Sequence, residues 1–284
     1  MLRKHLSNIY GFVRNKFLDI RDGLDCLNAK VHNRKIVYSL YARVNNFGDQ
    51  FNKDLLRYFE RELIYVKSAE KSQAVFTGSI LGNFPVEYSG YILGAGFLLE
   101  RYKRLNNNWN ILILRGPLSA MQCGEKNALY ADPGILASNI YKENVAKRYD
   151  LGIIPNGREK DIVLNLKFGE NVLLINPHRN AKEVIKDIKS CKCIASSSLH
   201  GLIFADSFRI PNIHLYFSDK VLGGYHKFID YYLGMDTEHQ VVKYNPVMSS
   251  KDIIGHCKLH YTQEYLSNKQ KEVIQVYNRI LEKI

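Results

Sequence analysis

No stretch of this sequence reaches the run of about 18 apolar residues that a membrane-crossing helix needs, so nothing in it is read as a bilayer span. Cysteine is scarce: five residues, Cys26, Cys123, Cys191, Cys193 and Cys257, an odd and scattered set that fits no disulfide framework. With no signal peptide at the start, a reducing cytosol is the expected compartment. Cofactor fingerprints are also missing. Gly94-Ala95-Gly96 has no third glycine at dinucleotide spacing, and no phosphate-loop lysine motif occurs. Cys191 and Cys193 are one residue apart instead of two, and read as two buried core thiols. His256 and His260 lack the glutamate of a metalloprotease helix, so no metal site is expected. Repeats and low-complexity tracts are absent too.

Acidic residues are in short supply: 28 against 40 basic ones, a formal net charge of +12. That balance points to anionic partners, whether nucleic acid, a phosphorylated small molecule or an anionic membrane surface. The basic residues are dispersed and no nucleic-acid-binding module is recognisable, so nucleic acid is set aside. Apolar residues make up 46% of the 284, ample for buried cores and for two compact domains.

Residues 1–20 place Leu2, Leu6, Ile9, Tyr10, Val13 and Phe17 at helical spacing among Arg3, Lys4, Arg14 and Lys16. This reads as a basic amphipathic helix that packs on its own domain or rests on a membrane surface. From Ile36 onward a short apolar run repeatedly gives way to glycine or a polar group, and often then to a helix. Residues 36–41, 74–76, 91–93, 111–114, 129–131, 151–154, 172–175 and 192–195 are such runs. The pattern predicts an α/β fold in which polar groups gather beyond the carboxyl ends of parallel strands, where open sheets bind ligands. The break around 141–149 divides two strand sets, giving an N-terminal region 1–34, a first Rossmann-like domain 35–145 and a second 146–284. The two domains are expected to face each other across a cleft, and the apolar stripe Val273, Ile274, Tyr277, Ile280 and Leu281 predicts a final helix free to pack on either.

The centre of this organisation is CKCIASSSLHGLIFADSFRIPNIHL, residues 191–215: strand, serine loop, helix, strand. The helix over 199–208 starts with His200 in its first turn, where free N–H groups and the helix dipole favour an anion. Gly201 removes a side chain beside it. Asp49, in Asn46-Phe47-Gly48-Asp49, opens a helix and is placed to cap it. Arg115 follows an aliphatic strand directly, where a guanidinium can grip a carboxylate or phosphate, or pair at the sheet end with Asp132.

Eight segments, in order, resemble the polysaccharide pyruvyl transferase family over about Val37 to Tyr232. They are Asn46-x-Gly48-Asp49, Thr77-Gly78-Ser79-Ile80-Leu81, Gly94-Ala95-Gly96-Phe97, Leu114-Arg115-Gly116-Pro117-Leu118-Ser119, Ala131-Asp132-Pro133, Gly152-Ile153-Ile154-Pro155, Ser196-Ser197-Ser198-Leu199-His200-Gly201 and Lys227-Phe228-x-Asp230-Tyr231. The resemblance implies a fold like the two-Rossmann glycosyltransferases, phosphoenolpyruvate as donor, a cell-surface polysaccharide sugar or its lipid-linked precursor as acceptor, and no nicotinamide or pyridoxal cofactor. It implies His200 and Asp49 as catalytic, Arg115, Ser197, Ser198 and Lys227 on the donor, and Asn46 and Asp132 on the acceptor. His200 is either the acid that protonates the donor's methylene carbon or the stabiliser of the departing phosphate. Some members of the family carry arginine where this chain has Ser198, and many bacterial relatives have histidine where it has Asn156. The alternatives are a nucleotide-sugar glycosyltransferase on the same scaffold and a catalytically silent partner in polysaccharide biosynthesis. Location is expected in the cytoplasm, at the inner membrane face if the acceptor is lipid-borne.

Overall fold

A computed structural model describes residues 20, 22–43, 46–100 and 108–284. The amphipathic segment expected over 1–20 therefore lies outside the described residues except for Ile20. The chain continues through helix α1 (22–31), strand β1 (Lys35–Ser39), α2 (Phe47–Tyr58), β2 (Arg61–Tyr65), β3 (Ala74–Val75), β4 (Tyr91–Leu93), β5 (Asn110–Leu114), α3 (Pro117–Cys123), β6 (Leu129–Tyr130) and α4 (Ala137–Ile140). The second half runs β7 (Tyr149–Ile154), α5 (Lys160–Val163), β8 (Val172–Leu174), α6 (Ala181–Ser190), β9 (Cys191–Ser196), α7 (Leu199–Ser207), β10 (Asn212–Tyr216), α8 (His226–Gly234), β11 (Val241–Lys243), α9 (Ser250–His256) and α10 (Gln263–Leu281).

Among the described residues every ladder between two strands is parallel, and one isolated antiparallel bridge joins Asn212 to Lys258. In the first half β3-β4-β5-β6 form one ladder and β1-β2 another. Gln73 N donates to Tyr38 O at 2.8 Å and Ser39 Oγ to Ala74 O at 2.7 Å, which sets β1 beside β3. The second sheet has the order β8-β7-β9-β10-β11. Its crossovers diverge between β7 and β9, and in such sheets the crevice beyond that point is the ligand site. The α/β class expected from the apolar runs is thus present, with parallel sheets throughout.

β2 has no counterpart in the sequence reading. Its Glu62 is fully buried, held by Arg57 Nη2 at 2.6 Å and by Asn28 Nδ2 and Arg34 Nη1, and a carboxylate inside a strand breaks the apolar signal on which the reading relied. The two cysteines of β9 also differ from expectation. Cys191 is buried, but Cys193 is half-exposed beside Cys257, because the short α9 covers it only in part.

The largest apolar cluster spans both halves, from Val37, Phe51 and Leu93 to Ile154, Phe204 and Tyr277. At its middle is α7, buried on every side but that of His200, as expected for a helix apolar all round. Phe204 packs on Phe47 and Phe51 of α2, with ring centroids 5.6 and 5.0 Å away. The chain crosses between halves more than once. α8 returns to α3, and α10 lies on the first half, with Tyr277 Oη donating to Leu93 O at 2.7 Å and Gln270 Nε2 to Ile135 O at 2.7 Å.

Candidate active site

The site begins where β9 runs into α7. Ser196 turns inward: its Oγ accepts from Ser198 N at 2.9 Å and lies 2.9 Å from Ile154 O, and a side chain at Gly201 would meet that hydroxyl at 2.4 Å. Ser197 Oγ donates to the buried Glu159 at 2.6 Å and accepts from Asn156 N at 2.8 Å. Its hydroxyl therefore anchors the loop and is not free for a donor. Ser198 is the N-cap residue of α7, yet its side chain makes no cap bond. Gly201 N donates to Ser198 O at 3.0 Å, while the N–H groups of Leu199 and His200 face the helix's positive end.

His200 reaches from that turn into the first half. Its Nε2 is 3.0 Å from Thr77 Oγ1, and Thr77 Oγ1 donates to Asp132 Oδ1 at 2.8 Å. A hydroxyl has one proton, and here the carboxylate takes it, so Nε2 carries hydrogen and Nδ1 is the basic nitrogen. Nδ1 faces Gly48, where an added Cβ would come within 2.1 Å of it; only glycine lets α2 and α7 approach this closely. Asp132 also accepts from Gly134 N at 2.9 Å and is 1% exposed. Burial lowers the His200 pKa, Asp132 opposes that, and Lys227 and Arg115 add to it.

Three charged groups surround the histidine. Asp49 stands third in α2, and the cap is Asn46, whose Oδ1 accepts from Gly48 N at 2.9 Å. The expectation that Asp49 caps the helix fails because Asn46 already occupies that position in extended backbone. The Asp49 carboxylate accepts no hydrogen bond among the described residues; burial pushes its pKa up to about 7, and Lys227 pulls against that. Lys227, 8% exposed on α8, makes neither an ion pair within 4 Å nor a hydrogen bond among the described residues. Burial and Arg115 lower its pKa to about 8, while Asp49 and Glu159 hold it up.

Arg115 is fully buried at the end of β5. Its Nε donates to Asp230 Oδ2 at 2.9 Å, Nη1 to Ser79 Oγ at 2.6 Å and Nη2 to Phe97 O at 2.6 Å. The partner expected at the sheet end was Asp132, but Asp132 is taken up by Thr77 and Gly134, and α8 delivers Asp230 instead. Two of the five guanidinium N–H groups have no partner among the described residues. Asp230 is itself held by Ser119 N at 2.9 Å and Ser119 Oγ at 2.6 Å.

The structure thus brings His200, Asp132, Asp49, Lys227 and Arg115 together, sets Ser198 at their edge, and uses Asn46 and Ser197 to hold backbone. Thr77, Glu159 and Asp230 carry parts of this arrangement that the sequence reading left unassigned. His178 is a further addition. It lies beside Gly157, whose Cβ would meet Nε2 at 2.8 Å, and Pro177 next to it accepts from Phe47 N at 3.1 Å. A histidine therefore stands next to the loop where Asn156 departs from the bacterial pattern. Among the described residues no group of three or more His, Cys, Asp and Glu side chains is placed to hold a metal ion.

The profile of the polysaccharide pyruvyl transferase family matches residues 15–219, most of the chain and all of the site except α8. The chain belongs to this family. It is 28% identical over 280 residues to uncharacterized protein L143 of Acanthamoeba polyphaga mimivirus, covering 90% of this chain and 96% of L143. It is also 28% identical over 185 residues to the succinoglycan biosynthesis protein ExoV of Rhizobium meliloti (strain 1021), covering 61% of this chain and 57% of ExoV. As a polysaccharide pyruvyl transferase it is a transferase enzyme, and its function lies in the pyruvylation of polysaccharide.

Proposed function

We propose that this pyruvyl transferase takes its pyruvyl group from phosphoenolpyruvate and sets it as a ketal across two hydroxyls of a cell-surface saccharide. The observation that carries the reading is the buried pair of cations, Arg115 and Lys227, beside a histidine on a helix N-terminus. Lys227 has no anionic partner within 4 Å among the described residues, and a compact trianion supplies the missing charge. The donor cleft in this reading runs between the carboxyl ends of the two sheets, with residues 35–145 and 146–284 as its two sides.

The chemistry divides as follows. One acceptor hydroxyl gives its proton to Asp49, and its oxygen bonds to C2 of the donor, while His200 protonates the methylene carbon. The second hydroxyl then attacks C2, the C2–O bond to phosphate breaks, and the second proton leaves with phosphate. Asp132 acts through Thr77 to hold the imidazole and favour its charged form, and so is read as a positioning residue in place of an acceptor contact. The donor's charges raise the His200 pKa by more than burial and the roughly half-charge of a helix end lower it. No cofactor takes part in these steps.

Phosphate release from phosphoenolpyruvate, with saccharide acceptors present, tests the assignment. Asp49→Asn and His200→Ala should each lower turnover by about a hundredfold or more while leaving calorimetric donor binding in place. Wild-type turnover in both variants would remove these groups from the chemistry. If the acceptor is lipid-linked, α1 offers a surface for the membrane. Ile20, Leu24, Leu27 and Val31 are 63%, 59%, 57% and 71% exposed on one face and continue the stripe read over residues 2–17.

A further inference from the structure

A cavity lies beside the elements that carry the histidine site and takes no part in the chemistry above. It opens at the carboxyl ends of β10 and β11, holds about 480 Å³, and falls within the size range of small-molecule sites. Its floor is His214 stacked on Phe228, centroids 3.8 Å apart at 15°. Its wall is the pair Tyr216 and Tyr225, half-buried, 5.6 Å apart at 65°. Asp219 and Lys243 stand exposed at the rim, Tyr216 Oη donating to the Asp219 carboxylate and Lys243 Nζ lying 5.9 Å from the Tyr216 ring. The loop that closes it turns on Gly223 and Gly224, at φ 77° and 49°. Gly223 packs so closely on Leu98 O of the first half that a Cβ there would be 2.0 Å away.

The chemistry of this lining differs from that of the neighbouring site. Around His200 the buried Lys227 has no anionic partner within 4 Å among the described residues, and it stands near Arg115, which is paired with Asp230. Here one carboxylate and one ammonium cancel, and the surface is tyrosine faces set at an angle with hydroxyl, carboxylate and ammonium at their edges. Tyrosine presents an apolar face with a polar tip, which suits a ring whose faces are C–H and whose rim is hydroxyl. The two sites also share a wall. Ser218, on the cavity rim, donates to Glu159 Oε1 at 2.7 Å, and Glu159 Oε2 takes the Ser197 hydroxyl, three residues before His200. Lys227 and Phe228, neighbours on α8, face the two sites.

We propose that this cavity is a saccharide subsite, in which Tyr216 and Tyr225 hold the sugar next to the one that receives the pyruvyl group. The placement beside His200 rests on the acceptor reading above; the sugar-binding lining does not. The test is saturation-transfer NMR on the full chain with lactose, cellobiose and maltose, without donor, on wild type, Tyr216→Ala and Asp219→Asn. Wild type should saturate ring protons of at least one disaccharide, and Tyr216→Ala should weaken that binding by about tenfold. Asp219→Asn, an exposed change that keeps the fold, should weaken it severalfold. Three results overturn the proposal: no disaccharide binding to wild type, equal binding to all three proteins, or binding of uridine monophosphate lost on Tyr216→Ala while disaccharides are unaffected. Calorimetric titration of phosphoenolpyruvate into the same proteins separates the two readings. No donor binding alongside Tyr216-dependent sugar binding would reject the donor assignment and keep the subsite.

Discussion

At the scale of single residues, the informative groups are those whose protonation the site distorts in opposite senses. Burial raises Asp49 to about 7 and lowers Lys227 to about 8, so each approaches neutrality and each holds the other towards charge. A base has to be ionised to act, and a donor-binding ammonium has to be protonated. The kcat/KM profile should therefore rise as pH passes about 7, where the Asp49 carboxyl loses its proton, and fall above about 8, where Lys227 loses its own. These two limbs belong to the pair more than to either member. Lys227→Met removes the cation that lowers Asp49, and the acid limb should move to higher pH. Asp49→Asn removes the anion that raises Lys227, and in the residual activity the basic limb should move to lower pH. Limbs that stay put in both variants would separate these residues from the titration. How such groups read in the sequence depended on what each one touches. Asp49, Arg115 and His200 stood in motifs with a charge or an imidazole at a strand or helix end, and their chemistry was legible. Asp230 and Glu159 were not, since their partners are 115 and 38 positions away.

The decisive element contact is that of α2 with α7. Gly48 sits in the first turn of α2, where alanine would be the better helix former by about 1 kcal/mol. A methyl group there meets the His200 ring, and forcing one into a packed contact costs about 1–3 kcal/mol. The two nearly balance in stability, but the clash falls on the imidazole. Gly48→Ala should therefore melt within a few degrees of wild type and lose activity by about a hundredfold, as expected for a group displaced by about an ångström. Circular dichroism melting beside phosphate release checks this, and unchanged turnover would show that the ring has room to move. The strands of the α/β fold were legible wherever an apolar run was unbroken, as at β4 and β7. β2 was hidden by Arg61 and Glu62, and the close approach of α2 to α7 had no local signal beyond one glycine.

Across the whole molecule, Arg115 joins the halves. It takes Ser79 and Phe97 of the first half and Asp230 of α8. Removing it strands Asp230 as a buried charge, which costs about 3–5 kcal/mol. Arg115→Ala should lower the melting temperature by on the order of 10 °C, so weak donor binding in that variant is to be read beside its stability. Arg115→Ala with Asp230→Asn should melt higher than Arg115→Ala alone, because the stranded charge is gone. If the two melt alike, the ion pair is not the joint. The outer face of α1 gives a second whole-molecule expectation. Its inner side is tied down by Asp25 to Lys53 and by Asp22 to Arg43 at 2.9 Å, leaving the apolar stripe outward. The full chain should sediment with vesicles rich in phosphatidylglycerol, and a variant with serine at positions 24, 27 and 31 should not. Equal amounts in the supernatant would end the membrane reading.

The helix α10 closes the first half from the far end of the chain. Phe59 stacks on Tyr277 with centroids 5.0 Å apart, and Tyr277 Oη reaches Leu93 across 184 positions. During synthesis, at about 5–20 residues per second, the strands of the first sheet emerge well before the helix that covers them. Leu93, Phe76 and Phe59 then wait uncovered for many seconds, an interval in which chaperone capture competes with folding. The earliest sheet to leave the ribosome is in this way among the last parts to finish, and expression at low temperature, which slows translation and aggregation together, bears directly on the yield of this chain.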